Sequence, residues 1–266
     1  MENRNKMKII TVIAVVIFFL GFFFYIPTGM FLAEGIKKGS SLFSNYSYWK
    51  VIFRTIAFSF ITAIICAAIA TPLAIRIVFS PRQHQGKWWL PALIPAIINP
   101  LVIIFGMIFL LGDKGPITAA FSVVGIKSIL YTPAAVLVGM VYLSIPVMTF
   151  FITSSMRTIS PDLLTAAVIM GATRFQLYKE IIFPITKRAY FSGGLIVFLM
   201  ATGYYIIPVL LGGGKSPFAA NIIDQLVNRS LDWKTASELS IMLAASIILT
   251  ILLFTLLKGK RRISHV

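Results

Sequence analysis

The chain has 266 residues, of which 58% are hydrophobic and 12% are charged, and its formal net charge is +16. Soluble domains contain about 45–50% apolar and about 25% charged residues, so this composition excludes an ordinary water-soluble domain and indicates a polytopic membrane protein. A basic chain is also typical of nucleic-acid binding, but the long apolar runs favour Lys and Arg residues that flank membrane spans.

Metal and disulfide chemistry find little support in the sequence. Cys66 is the only cysteine and lies within an apolar run, which excludes disulfides within the chain and cysteine metal clusters. The two histidines, His84 and His265, lie far apart in polar segments. We therefore expect this chain to hold neither a metal ion nor a cofactor, and we find no catalytic constellation in it.

Residues Ile9–Ile26 form the first apolar run, directly after a basic start. The run is about as long as a bilayer is thick, whereas the apolar part of a cleavable signal peptide spans about 7–15 residues and ends at small residues. Here the bulky Phe31 and Leu32 precede Ala33. The pattern predicts an uncleaved first transmembrane helix.

Five more apolar runs follow, each long enough to cross about 30 Å of hydrocarbon. They are Val51–Phe79, Leu90–Leu111, Tyr131–Ile152, Ala189–Leu211 and Leu239–Leu257. The sequence therefore predicts an all-α membrane protein with six transmembrane helices. We expect residues 1–50 to form the first helix with its outer loop, and residues 51–266 to form a five-helix core.

The loop charges predict the orientation of the spans. With six spans, both termini lie on the same side as the loops near residues 80–89 and 153–188, and this side carries 15 of the 24 Lys and Arg residues. Loops with an excess of Lys and Arg remain in the cytoplasm. Both termini are therefore expected to be cytoplasmic.

The stretch VLLGGGKSPF at Val209–Phe218 contains half of a phosphate-binding loop, whose full pattern is G-x-x-x-x-G-K-[ST]. Val209 stands where that pattern requires glycine, and the predicted orientation places Lys215 outside the cell. Neither feature agrees with ATP binding. The glycines are better explained as a flexible exit from the fifth span.

The large loop at residues 153–188 begins with the signals of a short helix. Ser160 is a suitable N-cap, a proline follows at the first helical position, and Asp162 lies at the positive end of the helix dipole. Gly171 is a suitable left-handed C-cap. The sequence therefore predicts a helix that ends near Gly171.

A second helix is predicted directly after the first. Thr173 and Gln176 form a capping-box pattern that opens it, and Pro184 is expected to end it.

The first of these two helices is apolar almost all round, and Pro161–Thr173 contains no Lys or Arg. An apolar helix outside the membrane must bury itself against something. Two interpretations remain open at this stage, packing on the ends of its own bundle and docking on a protein partner.

The loop resembles the cytoplasmic signature of the membrane subunits of binding-protein-dependent ABC importers, E-A-A-x-x-x-G followed by I-x-L-P. This chain has Thr165-Ala166-Ala167, then Gly171, then Ile181-Ile182-Phe183-Pro184. The resemblance implies the type I ABC importer permease bundle in the bacterial cytoplasmic membrane, with the first short helix as a coupling helix that docks on a separate ATPase subunit. The implied docking residues are Asp162, Thr165, Ala166, Ala167, Gly171, Ala172 and Pro184.

Two positions in this signature differ from the family's usual pattern. Thr165 stands where glutamate is usual, and Asp162 lies three residues earlier on nearly the same helix face. Phe183 replaces the usual leucine, which is a change between apolar residues.

The stretch Tyr205–Trp233 resembles the spermidine/putrescine branch of these permeases, and branches for ferric iron, thiamine and phosphonates share parts of it. We expect a polyamine to pass along polar side chains within the bundle, although such groups also bond neighbouring helices. The candidate pathway residues are Asn99, Ser144, Thr202, Tyr204 and Tyr205.

The resemblance also implies the partners of the chain. They are two ATPase subunits that bind ATP and Mg²⁺, a second homologous permease subunit, and an extracytoplasmic solute-binding protein, all acting by alternating access at a lipid membrane and without nucleic acid. Whether the second permease is a copy of this chain stays open.

Three other classes of membrane protein are the alternatives. A structural membrane scaffold would leave the capped, alanine-rich helix without a function. An integral-membrane enzyme requires clustered His, Asp, Glu or Ser at one face, and an ion-coupled carrier favours acids near the middle of the membrane. The sequence shows neither pattern, since Asp113 and Glu238 lie near the outer ends of their spans.

Overall fold

The computed structural model describes residues 18–19, 21–36, 46–121, 128–214 and 217–259, and the regular elements within these ranges are helices. A π-helical turn, Gly21–Tyr25, leads into the first of them. The helices are α1 (Ile26–Ile36), α2 (Tyr46–Phe79), α3 (Arg82–Ile97), α4 (Pro100–Leu111), α5 (Pro116–Phe121), α6 (Pro133–Met156), α7 (Pro161–Ile169), α8 (Arg174–Thr202), α9 (Ile206–Gly212), α10 (Ala219–Asn228) and α11 (Trp233–Gly259).

Five helical stretches in the described part of the chain are long and apolar enough to cross a membrane. They are α2, Pro100–Ala120, α6, α8 and the Trp233–Leu253 part of α11. The second, fourth and sixth predicted spans are therefore confirmed as helices. The predicted first span lies largely outside the described residues, as do Lys215 and Ser216 of the glycine-rich stretch.

The third span begins later than the apolar run at Leu90–Leu111 predicts. The chain leaves the helical conformation at Ile98, where ψ is 140°, and α4 then starts after Asn99. The Asn99 side chain accepts a hydrogen bond of 2.9 Å from the Leu101 N–H. A residue before proline is driven out of the helical region, so Pro100 explains why the break falls here.

The fifth span also differs from its prediction, because Pro184 does not end the helix. Helix α8 continues through Pro184 to Thr202, and its Leu177–Ile182 part is π-helical. Proline lacks the N–H that an uninterrupted α-helix would use, and a local π-helical segment directly before it changes the hydrogen-bonding register. The expectation of a helix stop at Pro184 is wrong.

The chain folds as two compact units, and the larger comprises residues 53–221. Its core joins α4, α6, α8 and α9. The residues of this core are Ile104, Leu111, Ala135, Val136, Met140, Ala201, Ile207, Leu211 and Phe218.

Helices α6 and α8 approach closely at a glycine in the larger unit. A Cβ atom on Gly193 would lie 2.9 Å from both the Met148 Sδ and the Phe151 Cβ atoms. The next residue, Gly194, faces open space. The absence of a side chain at Gly193 therefore sets how near the two helices lie.

The smaller unit comprises Met1–Ile52 and Ile222–Val266, and in it α1 packs on α11. The Ser237 hydroxyl accepts a hydrogen bond of 3.1 Å from the Gly35 N–H and donates one to the Phe31 carbonyl. At the start of α11, the Asp232 carboxylate accepts a hydrogen bond of 3.0 Å from the Thr235 N–H. The Thr235 side chain and backbone both donate to this carboxylate and lower the pKa of Asp232.

Candidate functional site: helix α7 and the polar groups of the bundle

The start of α7 is fixed by its own sequence. The Ser160 hydroxyl accepts a hydrogen bond of 3.2 Å from the Asp162 N–H, and Pro161 occupies the first helical position. Both capping features were predicted from the sequence and are confirmed.

The end of α7 is a two-bond glycine cap. Gly171 has φ +86°, its N–H donates to the Val168 carbonyl at 2.9 Å, and the Ala172 N–H donates to the Ala167 carbonyl at 3.0 Å. This pair of bonds is the Schellman arrangement, which satisfies the last carbonyls of a helix. The predicted left-handed cap at Gly171 is confirmed.

Helix α7 leaves most of its apolar surface uncovered. Ala167 is 7% exposed, whereas Ile169 is 81% and Met170 is 80% exposed, and Leu163 and Val168 are also exposed. Packing of α7 on its own bundle therefore covers only a narrow stripe. The exposed apolar face is the surface that an additional molecule can bury.

The residue that departs from the usual signature is satisfied within its own helix. The Thr165 hydroxyl donates a hydrogen bond of 3.0 Å to the Pro161 carbonyl. Asp162 and Thr165 are both exposed, and Ala166 lies exposed between Thr165 and the buried Ala167. The chain thus presents a short, neutral hydroxyl where a longer carboxylate is usual.

The predicted capping box joins α7 to the next element. The Gln176 N–H donates to the Thr173 hydroxyl at 3.3 Å, and the Thr173 N–H donates to Gln176 Oε1 at 2.8 Å. The box is confirmed, and it opens α8 two residues after Gly171.

A chain of hydroxyl groups connects the start of α8 to α2. The Tyr178 and Tyr190 hydroxyls lie 3.3 Å apart, and the Tyr190 and Thr71 hydroxyls lie 2.7 Å apart. The Phe183 ring packs between them, with its centroid 6.1 Å from that of Tyr178 and 5.7 Å from that of Tyr190. This cluster ties the π-helical entry of α8 to a second membrane span.

Two of the predicted pathway residues meet in the bundle. The Ser144 and Tyr204 hydroxyls lie 3.1 Å apart, and Ser144 is fully buried. Thr202, which lies close to Tyr204 in the sequence, is also buried. Its hydroxyl donates a hydrogen bond of 2.8 Å to the Leu199 carbonyl within its own helix.

The other two predicted pathway residues lie in loops between helices. Tyr205 is 37% exposed, and its carbonyl accepts a hydrogen bond of 2.8 Å from the Asn221 side-chain amide. Asn99 is exposed and caps α4. A role in the pathway stays a prediction for all five residues.

Several buried polar residues were not singled out from the sequence, and Thr149, Thr153 and Asn221 are among them. Thr149 and Thr153 on α6 are buried, and their hydroxyls have no hydrogen-bond partner within the described part of the chain. Asn221 is 4% exposed, and its Oδ1 accepts a hydrogen bond of 2.9 Å from the Phe218 N–H. Threonines four residues apart on an apolar helix were the only available signal, and that spacing is equally typical of ordinary spans.

Solved structures with the same fold define the class of the protein. The chain superposes on the transporter in the crystal structure of a bacterial ABC transporter involved in the import of the acidic polysaccharide alginate, with TM-score 0.78, 16% identity and coverage of 99% and 98% of the two chains. It also matches the MetNI methionine ABC transporter in an inward-facing conformation, with TM-score 0.60, 16% identity and coverage of 84% and 97%. The fold is that of a type I ABC importer permease.

Sequence comparison identifies the family. The family model described as "binding-protein-dependent transport system inner membrane component" matches residues 85–261. The spermidine/putrescine transport system permease protein PotB of Haemophilus influenzae is 30% identical over 98% of this chain and 97% of its own length. PotB of Escherichia coli K12 is 28% identical over 78% of this chain and 77% of its length. The chain belongs to the family of inner membrane components of binding-protein-dependent transport systems.

Proposed function

We propose that this permease subunit moves a polyamine, spermidine or putrescine, into the cytoplasm. The proposal rests on the likeness to PotB of Haemophilus influenzae, which extends over 98% of the chain. The ferric transport system permease protein FbpB of Actinobacillus pleuropneumoniae is 26% identical over 61% of this chain, and the match covers only 24% of FbpB. Ferric iron is therefore the weaker candidate.

The chemistry of the bundle suits a cation that is selected elsewhere. Ser144 and Tyr204 offer hydroxyl oxygens, and the ring faces of Tyr204 and Tyr205 can attract an ammonium group through cation–π interactions. Such contacts are weaker than those of carboxylates, so they let a polycation pass without trapping it. Selection then belongs to an extracytoplasmic solute-binding protein.

Energy for transport comes, in this proposal, from two separate ATPase subunits that bind ATP and Mg²⁺. The exposed apolar face of α7 supports a docking role, because Ala166 allows a close approach and Leu163 and Ile169 are free to be covered. Asp162 and Thr165 lie on the exposed surface of the same helix, Gly171 and Ala172 form its connection to α8, and Pro184 lies within α8. A second, homologous permease subunit completes the route.

Movement at α7 reaches the membrane spans through the start of α8. The Tyr178, Tyr190 and Thr71 hydroxyls join the π-helical segment to α2, so a displacement of α7 and α8 also acts on α2. A partner changes the balance of two conformations only through its different affinity for them. The ATPase must therefore bind α7 with different affinity in the inward-open and outward-open states.

The orientation follows from the same docking role. An ATPase that uses cellular ATP places α7 in the cytoplasm, and the loop charges give the same orientation with both termini inside. The membrane is then the bacterial cytoplasmic membrane.

Uptake by the reconstituted transporter tests which solute it moves. The chain is co-expressed and purified with an ATPase, a second permease and a solute-binding protein from the same organism, placed in proteoliposomes, and given radiolabelled spermidine. We expect ATP-dependent uptake that excess putrescine inhibits and that ferric iron and thiamine leave unchanged. Uptake of ferric iron without uptake of spermidine would refute the polyamine assignment and leave the permease assignment standing.

A further inference from the structure

The larger unit contains a cleft of about 620 Å³ beside α7. Its walls come from the end of α2, the start of α3, the turn after α6 and the first turns of α7. The side chains that matter for its chemistry are Phe79, Arg82, Gln85, Arg157, Leu164 and Thr165. The volume is in the range of about 300–1,000 Å³ that small-molecule sites occupy.

The cleft is positively charged on several sides. Arg82 and Arg157 both line it, and within the described ranges no carboxylate lies at ion-pair distance from either guanidinium group. The sequence has no Asp or Glu between Glu34 and Asp113, so α2 and α3 bring no negative charge to it. Helix α7 carries one acid in its first turn, Asp162, which is not among the residues that line the cleft. These features select an anion.

The start of α3 adds to this positive charge. Helix α3 begins at the cleft, and its N-cap, Pro81, supplies no side-chain acceptor for the first N–H groups of the helix. Helix N-termini carry partial positive charge and attract phosphate and carboxylate groups. Gln85 donates one amide N–H to the Ser80 carbonyl at 3.1 Å and retains a second.

The surroundings of the cleft are those of a membrane interface. The Arg157 guanidinium lies 5.9 Å from the ring centroid of Trp89, and that of Arg76 lies 5.5 Å from Trp88. Trp is enriched at the level of the lipid headgroups, and basic pockets at the ends of membrane spans bind anionic headgroups. Phe79 and Leu90 are exposed apolar side chains on the same two helices, where acyl chains can cover them.

We propose that the cleft binds the phosphate of an anionic phospholipid headgroup, held by Arg82 and Arg157. The phosphate accepts charge-assisted hydrogen bonds from both guanidinium groups, which are stronger than bonds between neutral groups. Because Leu164 and Thr165 form part of the same cleft, the lipid fixes one flank of α7 and leaves its apolar face free.

Lipid binding to the purified chain tests this proposal without any partner or substrate. Native mass spectrometry or fluorescence titration in neutral detergent compares phosphatidylglycerol with phosphatidylcholine. We expect wild type to bind phosphatidylglycerol at least about tenfold more tightly, which corresponds to about 1.4 kcal/mol. The variant Arg82→Gln/Arg157→Gln should lose this preference, and Arg82→Lys/Arg157→Lys should keep a part of it.

A matched control removes two positive charges on α8, outside the cleft. Lys187→Gln/Arg188→Gln is expected to keep the preference for phosphatidylglycerol within about twofold, and equal losses in both double variants would overturn the proposal. Thr165→Glu places a carboxylate in the cleft and should also weaken phosphatidylglycerol binding. Thermal melting in detergent shows that each variant is folded.

Two further results would assign the cleft to other ligands and refute the lipid proposal. In the first, millimolar inorganic phosphate binds and phosphatidylglycerol does not, which identifies a soluble anion. In the second, Arg82→Gln/Arg157→Gln binds phosphatidylglycerol like wild type but loses the ATPase, which identifies an acidic protein surface.

Discussion

Helix α7 and the α6–α8 pair belong to the same compact unit but are held in opposite ways. The α6–α8 contact is buried and depends on a glycine, Gly193, against Met148 and Phe151. Helix α7 is held by caps at Ser160 and Gly171, and its apolar side chains are exposed. We therefore expect the two regions to serve different purposes. Damage to the α6–α8 contact should unfold the protein, whereas damage to α7 should weaken binding of the ATPase to a protein that stays folded.

The largest effect on stability is expected from Gly193→Val. Its side chain would overlap Met148 and Phe151, and overpacking of this kind costs about 1–3 kcal/mol. The melting temperature in detergent should fall, and the yield of folded protein with it. Gly194→Val is the control, because open space surrounds Gly194, and it should melt like wild type. Equal melting of the two variants would show that the contact contributes little.

Gly171→Ala should have the opposite pattern. A side chain at φ +86° costs about 1–2 kcal/mol, although open space surrounds the position. The cost falls on the end of α7, so we expect weaker retention of the ATPase and an unchanged melting temperature of the bundle. Gly194→Ala serves as the control. A fall in melting temperature as large as that of Gly193→Val would erase the distinction between the two regions.

Tyr190→Phe tests the connection between the start of α8, which follows α7, and α2. It removes the hydroxyl between Tyr178 and Thr71 and costs roughly 1 kcal/mol, while Thr71 keeps its bond of 2.6 Å to the Ala67 carbonyl. We expect less solute moved per ATP hydrolysed, with a fall in melting temperature smaller than that of Gly193→Val. Tyr204→Phe, which removes a hydroxyl beside Ser144, should instead alter the KM for the solute. An unchanged ratio of uptake to hydrolysis in Tyr190→Phe contradicts a coupling role.

The smallest effect on stability is expected from Asp232, a titratable residue that caps the start of α11 in the smaller unit. The lowered pKa of Asp232 means that its capping contributes stability above the ordinary aspartate pKa of about 3.9, and the contribution is lost as pH falls through the lower folded-state pKa. A charged cap at a helix start contributes about 0.3–1 kcal/mol. Thermal melting of wild type and Asp232→Asn should therefore differ at pH 7 and converge at pH 2. A constant difference between the two pH values would show that the charge contributes nothing.

Local sequence signals predicted α7 well. Ser160, Gly171, Thr173 and Gln176 act on backbone groups within a few residues, so their effects can be derived without knowledge of the fold. Pro184 was predicted wrongly, because the π-helical segment before it lets the helix continue.

The hydroxyl cluster of Tyr178, Tyr190 and Thr71 and the cleft beside α7 could not be predicted from the sequence. Thr71 and Tyr190 lie 119 residues apart in the chain, and Arg82 begins α3 whereas Arg157 follows the end of α6. No periodicity brings such residues together, because their proximity depends on how whole helices pack.

Retention of the ATPase by an α7 variant is the most direct test of whether the ATPase docks on α7. Ala166→Glu places a charge on the exposed face of α7, and Gln83→Glu makes the same change of charge at an exposed site in α3. Each is co-purified with the proposed partner ATPase. We predict that Ala166→Glu loses the ATPase while it melts like wild type, and that Gln83→Glu retains it. Retention of the ATPase by Ala166→Glu would contradict docking on α7.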